Sequence, residues 1–460
     1  MSATKNMTIG KPSSLILSFA LPLMAGNLFQ EFYTITDTII VGQFLGVTAL
    51  AAIGAGGWIT WMMLSAIQGF TQGFSIPAAQ AFGAGDMELI RKNMGNSAVL
   101  SIILSAVLVT AGELILNPLL VLLNTPDEII ETTLLYLRIY YGACPIMMAY
   151  NYAASHLRAL GNSKSPLQAM IIASIVNISL DILFVGPLHM GVAGAVIATV
   201  IAQLVAAAYS LYCLFRIDFI YFKKEHLILN SKLCASLLKL GAPMSFQNII
   251  ISIGGIIVQF IVNKYGITFI AGFTATNRLY GLIETAGISY GYAMTTYAGQ
   301  NKGAGYYKRI RDGVKAGHVI GTITSILIAL IMIFFGRSIL SLFITGTPQE
   351  VEATMTVAYR YLFIMSTLLP ILYSLHILRS TLMGLGNSLF PMWSGVGELV
   401  MRVAASFIIP VYWGEMNLFF AEPIAWTGAV LVLLSGYLYC MSHLPSIPKA
   451  DNSAYSLEIR

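Results

Sequence analysis

Charge is scarce in this chain of 460 residues. Only 10% of the residues are Asp, Glu, Lys or Arg, 57% are hydrophobic, and the mean hydropathy is +0.78. Soluble globular domains carry about 25% charged residues, so the composition excludes that class and indicates a membrane protein. The alternating pattern of a barrel strand is also missing. Because unpaired backbone groups cannot face lipid, the apolar segments must be helices.

Cysteine and histidine are too few and too dispersed for a metal centre or a disulfide framework. We expect the four cysteines to be core thiols, because they lack paired spacing: Cys144, Cys213, Cys234 and Cys440. An Asp-rich metal motif and an interfacial His/Asp pair, as a membrane-embedded transferase would need, are missing as well. The sequence predicts that the protein is not an enzyme and has no cofactor and no metal other than a bound Na+. We also expect no cleavable signal peptide, because no convincing cleavage site follows the first apolar run.

Long apolar runs dominate the chain instead. A transmembrane helix needs about 20 mainly apolar residues, and twelve stretches meet this requirement. The sequence therefore predicts an all-α polytopic membrane protein with twelve transmembrane helices. The predicted spans are 13–38, 48–72, 94–115, 131–152, 166–187, 191–215, 236–261, 268–297, 314–335, 356–380, 392–412 and 421–442.

The second six spans repeat the first six. Residues 136–166 align without a gap on residues 361–391, with identity at 12 of 31 positions, and the segment 80–85 recurs as 300–305. Internal repeats are typical of transporters in which two bundles move around a site at the repeat interface. The sequence predicts two pseudo-symmetric six-helix lobes, residues 1–225 and 226–460.

Lys and Arg concentrate on one side of the predicted spans, which by the positive-inside rule places both termini in the cytoplasm. The net charge of +5 follows from this bias, so we expect membrane lipid and no nucleic acid as a macromolecular partner. The segment 216–239 between the lobes is charged and amphipathic. It predicts a surface helix lying on the lipid headgroups.

Ionisable residues inside spans are costly and tend to face functional cavities. Asp37 in the first span shares a helix face with Thr34, Tyr33 and Gln30. In the fifth span, Ser174, Asn177 and Asp181 share one face. If these two stripes meet, their oxygens can bind a hard monovalent cation or hold a proton. The alternative is that each acid only caps or hydrogen-bonds a neighbouring helix.

The second half carries different polar groups. One face of the eighth span carries Asn277, Tyr280 and Glu284. Asn277 and Glu284, with Gln30 and Tyr33 of the first span, are candidates for substrate binding or for a secondary proton site. Glu398 and Arg402 are four residues apart on one helix and are expected to neutralise one another. His376 and Arg379 are expected to be interfacial anchors.

Several motifs resemble those of the multidrug and toxic compound extrusion (MATE) family. They are the run 21–24 (LPLM), the run 36–42 (TDTIIVG), the repeated elements at 79–85 and 299–305, and the run 160–163 (LGNS). The resemblance implies two six-helix lobes around a central cavity, and antiport of organic, often cationic, drugs against Na+ or H+ across the bacterial cytoplasmic membrane. It also implies a first-lobe cation site at Asp37, Asn177 and Asp181, and a bend of the first helix at Pro22. We expect a monomer.

The chain departs from one branch of that family in its second lobe. That branch has carboxylates in the seventh and tenth spans, whereas the stretches around Ile251 and Tyr373 contain none. Coupling is therefore expected to rest on the first lobe. The alternative function is an exporter or flippase of a lipid-linked or other endogenous metabolite.

Overall fold

The computed structural model describes residues 4–123 and 125–443, and these ranges are almost entirely helical, with no strand among them. The all-α fold predicted from the sequence is confirmed. In chain order the helices are α1 (Pro12–Gly46), α2 (Thr48–Ala84), α3 (Met87–Leu122), α4 (Asp127–Gly142), α5 (Cys144–Ala159), α6 (Lys164–Val185), α7 (Gly191–Phe215), α8 (Lys224–Leu227), α9 (Ser231–Val262), α10 (Ile267–Gly303), α11 (Tyr307–Leu340), α12 (Pro348–Thr367), α13 (Leu369–Gly384), α14 (Leu389–Trp413) and α15 (Ala421–His443).

Two of the predicted spans are each built from two helices. The fourth span consists of α4 and α5, which meet just before Pro145, and the tenth consists of α12 and α13, which meet just before Pro370. The second pair is bent by 51°. Proline has no N–H and fits the first turn of a helix but not its interior. The two prolines of the internal repeat therefore break equivalent spans at equivalent positions.

Nine helices of the described ranges are individually long and apolar enough to cross a membrane, and the bent pair α12 and α13 makes ten. The remaining two predicted spans are the α4–α5 pair and α10. Both carry more polar residues than their neighbours. With α8 as a short connecting helix, the fifteen helices correspond to the twelve predicted spans.

The repeated Gly-Asn-Ser run makes the same turn in both halves. Gly161 and Gly386 have φ values of 84° and 74°, in the left-handed region that glycine adopts at a helix C-terminus. The asparagine that follows each glycine then caps the next helix, which is α6 in the first half and α14 in the second. The side-chain oxygen of Asn162 accepts backbone N–H groups at 2.9 and 3.1 Å, and that of Asn387 accepts them at 3.2 and 3.3 Å.

The described helices divide into two compact units, and each takes residues from both halves of the chain. The first unit contains 22–78 and 86–252, and the second contains 6–21, 79–85 and the residues from 253 onward. These units do not follow the predicted boundary between residues 225 and 226. In the second unit, Arg309 donates to the carbonyl of Gly10 at 2.9 Å, and Met7 donates to the side chain of Gln300 at 2.8 Å. The lobe boundary drawn from the repeat stays a prediction.

Within the first unit, α2 and α9 approach so closely that only glycine fits at their crossing. A Cβ atom on Gly69 would lie 2.3 Å from the Cα of Ser245, and one on Gly73 would lie 2.5 Å from the Cα of Gly241. Backbone atoms cannot move aside as a flexible side chain can. The small residues at this crossing therefore fix the packing of the two helices, as is typical of membrane bundles.

We predict that Gly73→Ala destabilises the protein by about 1–3 kcal/mol, because the added methyl group overpacks a backbone contact. The measurement is the melting temperature of the purified protein in detergent. Gly54→Ala, on the same helix, is the matched control, because its Cβ would meet nothing within 4 Å. Equal melting temperatures for the two variants would contradict the tight crossing.

Candidate functional site

The first-lobe candidate residues lie on two helices of the first compact unit. Asp37 is on α1, whereas Asn177 and Asp181 are one turn apart on α6 and face the same way. Asn177 and Asp181 are 1% and 0% exposed, and Asp37 is half-buried. The two polar stripes predicted from helical spacing therefore meet in the interior of the unit.

The carboxyl groups of Asp37 and Asp181 adjoin each other, and the carboxamide of Asn177 adjoins Asp181. The amide nitrogen of Asn177 also reaches the hydroxyl of Thr199 on α7, at 3.5 Å. Two carboxylates that share a small, dry space repel each other, so both cannot carry an uncompensated charge. The arrangement needs a positive charge between them.

Four oxygens of this cluster have no hydrogen-bond partner among the residues that the structure describes. They are one oxygen of Asp37, the carboxamide oxygen of Asn177 and both carboxylate oxygens of Asp181. Buried polar atoms in folded proteins nearly always have a hydrogen-bond partner. Four unpartnered oxygens in one cluster therefore indicate a binding partner from outside the protein. A proton or a hard monovalent cation fits, because the unpartnered atoms are all oxygens.

Tyrosines border this oxygen cluster. Tyr33, one turn before Asp37, lies beside Gln203 of α7, and Tyr136 of α4 is close to both Asp37 and Tyr33. The stripe predicted on α1 therefore contributes Tyr33 to the surroundings of the site. We name Asp37, Asn177 and Asp181 the oxygen cluster.

Two other predicted residues of α1 are not brought to the oxygen cluster by any contact. Thr34 is exposed, and its hydroxyl donates to the backbone carbonyl of Gln30 at 2.9 Å, within its own helix. Gln30 is half-buried.

The course of α1 bears on the predicted bend at Pro22. The helix continues through Pro22 and is interrupted at Gly46, where φ is 79°. The bend at Pro22 stays a prediction.

The polar residues predicted to share one face of α10 contact side chains of other helices in the second compact unit. Tyr361 of α12 donates to the carboxamide oxygen of Asn277 at 3.2 Å, and Tyr280 stacks on Trp426 with ring centroids 6.1 Å apart. Glu284 lies 3.4 Å from the Nε2 atom of His376 on α13. Sequence analysis did not predict this last pair, because the two residues are distant in the chain.

Glu398 and Arg402 form the predicted ion pair, at 2.8 Å, but the pair is part of a longer chain of charges. Glu398 also binds Arg379 at 2.7 Å, and Arg402 also binds Glu422 at 2.9 Å. The prediction that Arg379 and His376 are interfacial anchors is wrong, since their side chains are only 11% and 14% exposed. Arg379 is instead drawn inward by the buried carboxylate of Glu398. We name Arg379, Glu398, Arg402 and Glu422 the ion chain.

A second cluster of titratable groups lies where the segment between the lobes meets the start of α3. His226 is fully buried and lies 3.1 Å from a carboxylate oxygen of Glu88, and Glu225 is also near. Glu88 is half-buried and Glu225 is exposed, and each has a cationic neighbour at 3.6 Å, Lys92 for Glu88 and Lys223 for Glu225. These contacts attach the segment between the lobes to the start of α3.

The structure does not have the single surface helix predicted for segment 216–239, because residues 216–223 and 228–230 are not helical. The structure has only the short α8 before α9 begins at Ser231, and the buried His226 is its anchor. The side chain of Asn96 on α3 donates to the carbonyl of His226 at 3.2 Å and accepts the backbone N–H of Asn230 at 2.8 Å. These contacts hold His226 and Asn230 against α3.

The polytopic helical fold, with its repeated six-span plan, is typical of membrane transporters. The MatE family model matches residues 22–183 and 243–438, which is most of the chain. The chain therefore belongs to the MATE family. Membership also makes it a transporter rather than an enzyme, as the sequence predicts.

The chain is similar to relatives with different named activities. It is 29% identical over 381 residues to the probable multidrug resistance protein YoeA of Bacillus subtilis (strain 168), covering 81% of each chain. It is 25% identical over 346 residues to an FAD transporter of Shewanella oneidensis, covering 74% of this chain and 75% of the relative. A crystal structure of MATE in complex with MaL6 superimposes with a TM-score of 0.89 at 22% identity, over 96% of this chain and 99% of that one. This structural likeness shows the fold.

We predict that Arg402→Met destabilises the protein by about 3–5 kcal/mol, because it removes the buried cationic partner of Glu422 and leaves Glu398 with Arg379 alone. The measurement is the melting temperature and the monodispersity in detergent. The matched control is Arg337→Met, which removes an ion pair with Glu352 of 3.1 Å whose side chains are 56% and 69% exposed. An exposed pair contributes about 0–1 kcal/mol. Equal losses in both variants would show that the ion chain does not stabilise the fold.

Proposed function

We propose that the protein is a secondary active antiporter that exports organic, often cationic, compounds in exchange for Na+ or H+. The observation that carries this proposal is the oxygen cluster. Its two adjoining carboxylates and four unpartnered oxygens need a proton or a small cation. Family membership supports the export activity, and the relative from Bacillus subtilis is named a probable multidrug resistance protein.

In this mechanism, Asp37 is the coupling carboxylate, and Asn177 and Asp181 complete the site. The cation binds from outside and disfavours the state that holds the exported compound. Because coupling free energies are reciprocal, the exported compound then weakens cation binding to the same degree. Each release of one ligand is thereby tied to the binding of the other.

The bias of Lys and Arg supports a multi-pass protein in the bacterial cytoplasmic membrane with both termini in the cytoplasm. We propose that one chain is sufficient for exchange, because α1 and α6 of that chain supply all three residues of the oxygen cluster. In this orientation, the inward gradient of Na+ or H+ drives export.

The second candidate function is export of an endogenous metabolite. The alignment with the FAD transporter of Shewanella oneidensis, at 25% identity, includes 74% of this chain, compared with 81% for the multidrug relative. A flavin dinucleotide would therefore be tested beside organic cations in the same vesicles. Transport of the flavin alone would favour this second candidate.

We predict that Asp37→Asn reaches the membrane in folded form but loses cation-coupled efflux. Asparagine keeps the size of the side chain, but it carries neither a negative charge nor an exchangeable carboxyl proton. The measurement uses purified protein in liposomes and follows a fluorescent organic cation under an Na+ gradient and an H+ gradient imposed separately.

Asp218→Asn is the matched control, because Asp218 is an exposed acid in the connection after α7. It should transport like the wild type under the driving gradient. Normal coupled efflux by Asp37→Asn would refute the assignment of the coupling carboxylate. Transport of no dye under either gradient, by folded protein, would refute export of organic cations.

We further predict that the coupling ion raises the melting temperature of the wild type but not that of Asp37→Asn. A ligand present at 100 times its Kd stabilises the state that binds it by about 2.7 kcal/mol. The experiment compares Na+ with choline at fixed pH, and then lower with higher pH in choline. A response of equal size in Asp37→Asn would place the binding site elsewhere.

A further inference from the structure

Arg278 is an arginine inside a predicted span that the proposed exchange does not use. It lies on α10, about 16 Å along the helix axis from the first residue of that helix. This distance is comparable to half of the hydrocarbon core, which is about 30 Å thick. The guanidinium group does not lose its proton in proteins, so Arg278 carries a permanent positive charge there. Sequence analysis did not single out this residue.

Arg278 is exposed and has no partner among the residues that the structure describes, since it takes part in no ion pair or hydrogen bond there. Arg379 and Arg402 of the same compact unit differ in this respect, because both bind the carboxylate of Glu398, at 2.7 and 2.8 Å. A charged side chain without a partner is costly in hydrocarbon and almost always faces the bundle interior or a water-filled space.

The face of α10 that carries Arg278 differs from a lipid-facing surface. Ala271 and Thr274 precede Arg278 on this face, and both are small and exposed. Ile267, the first residue, is the only large apolar side chain that α10 exposes along its described length. The next helix, α11, exposes many: Val319, Ile323, Ile326, Leu327, Leu330, Ile331, Phe334 and Phe335. The composition of the α10 face therefore indicates contact with water rather than with lipid.

Thr274 adds a hydroxyl group one turn before Arg278. This hydroxyl makes no hydrogen bond within the described part of the chain. Other threonines of α10 are bonded, since Thr276 donates to the carbonyl of Ala358 at 2.8 Å and Thr285 donates to that of Gly281 at 2.9 Å. One exposed face of α10 thus presents two groups of unused hydrogen-bond donors.

Buried acids of the second compact unit do not neutralise Arg278. Glu398 and Glu422 bind the arginines of the ion chain, and Glu284 lies 3.4 Å from His376. The positive charge of Arg278 is therefore available to an anion from outside the protein. Because the guanidinium group presents its N–H donors as a planar fork, it fits the paired oxygens of a carboxylate or a phosphate.

We propose that Arg278, assisted by Thr274, binds a carboxylate or phosphate group of the exported compound. The proposal rests on the second candidate function, export of an endogenous metabolite, and it names the chemical class of that metabolite as an organic anion. An organic cation gains nothing from this face of α10 and would bind elsewhere. The site contains no residue of the oxygen cluster, and binding makes or breaks no covalent bond.

The test measures equilibrium binding to the purified full-length protein in nanodiscs of neutral lipid. Riboflavin, FMN and FAD share one ring system but carry no phosphate, one phosphate and a pyrophosphate. We expect the wild type to bind FMN and FAD about tenfold or more tightly than riboflavin, because hydrogen bonds to a charged group are the stronger ones. Fluorescein and rhodamine 123 repeat the comparison on a second ring system, as an anion and a cation.

Arg278→Gln should weaken the binding of FMN about tenfold and leave the binding of riboflavin unchanged. Arg278→Lys keeps the charge but not the fork of donors, so its affinity for FMN should lie between those of the wild type and Arg278→Gln. The matched control is Arg337→Gln, because Arg337 is an exposed arginine of the same compact unit, paired with Glu352 at 3.1 Å. This control should bind all probes like the wild type.

Equal affinity of the wild type for FMN and riboflavin would overturn the proposal, and so would an unchanged affinity for FMN in Arg278→Gln. Binding of none of the anionic probes by folded wild type would overturn it as well. Monodisperse elution in detergent shows that each variant has folded. Because binding is measured without an ion gradient, a failure of coupled efflux leaves this result standing. A failure of the anion site likewise leaves coupled efflux of organic cations untouched.

Discussion

The structure depends on one constraint, which is that a polar group in the interior of a membrane protein must find its partner within the protein. The backbone satisfies this constraint through the hydrogen bonds of its helices. Many hydroxyl groups satisfy it by donating to a carbonyl of their own helix. Thr34, Thr36 and Thr38 each donate at 2.9 Å to a carbonyl one turn earlier on the same helix. In contrast to these hydroxyl groups, one oxygen of Asp37 and both oxygens of Asp181 have no hydrogen-bond partner among the described residues.

The two compact units satisfy this constraint in different ways. In the second unit, buried carboxylates are matched by guanidinium groups, and Arg402 bridges Glu398 and Glu422. A site neutralised by fixed side chains has little affinity left for an external cation. In the first unit, Asp37 and Asp181 adjoin each other without such a partner. An external proton or cation is what we propose completes that unit. That coupling rests on the first lobe stays a prediction.

Helical spacing was sufficient to predict which side chains share a face, as for Asn177 with Asp181 and for Glu398 with Arg402. The alignment of residues 136–166 with 361–391 likewise predicted related halves, and the structure shows that Pro145 and Pro370 within it break equivalent spans. Spacing does not tell which faces of different helices meet. The contacts of Glu284 with His376 and of Arg379 with Glu398 join different helices, so no local pattern contains them. Amphipathicity was misleading for segment 216–239, because the pattern of an exposed helix does not reveal that His226 is buried against α3.

The charge of the exported compound decides how much force an exchange of this kind can use. Moving one charge through 100 mV corresponds to about 2.3 kcal/mol, or roughly a 50-fold gradient of a neutral compound at about 1.4 kcal/mol per decade. When a monovalent cation leaves as one coupling ion enters, no net charge moves, and only the concentration gradient of the ion drives export. When a monovalent anion leaves, both movements follow an inside-negative potential, and the voltage contribution doubles to about 4.6 kcal/mol. The proposed exchange would therefore drive cargoes of different charge to very different extents. The charge of the exported compound is thus a physical criterion that separates the two candidate functions.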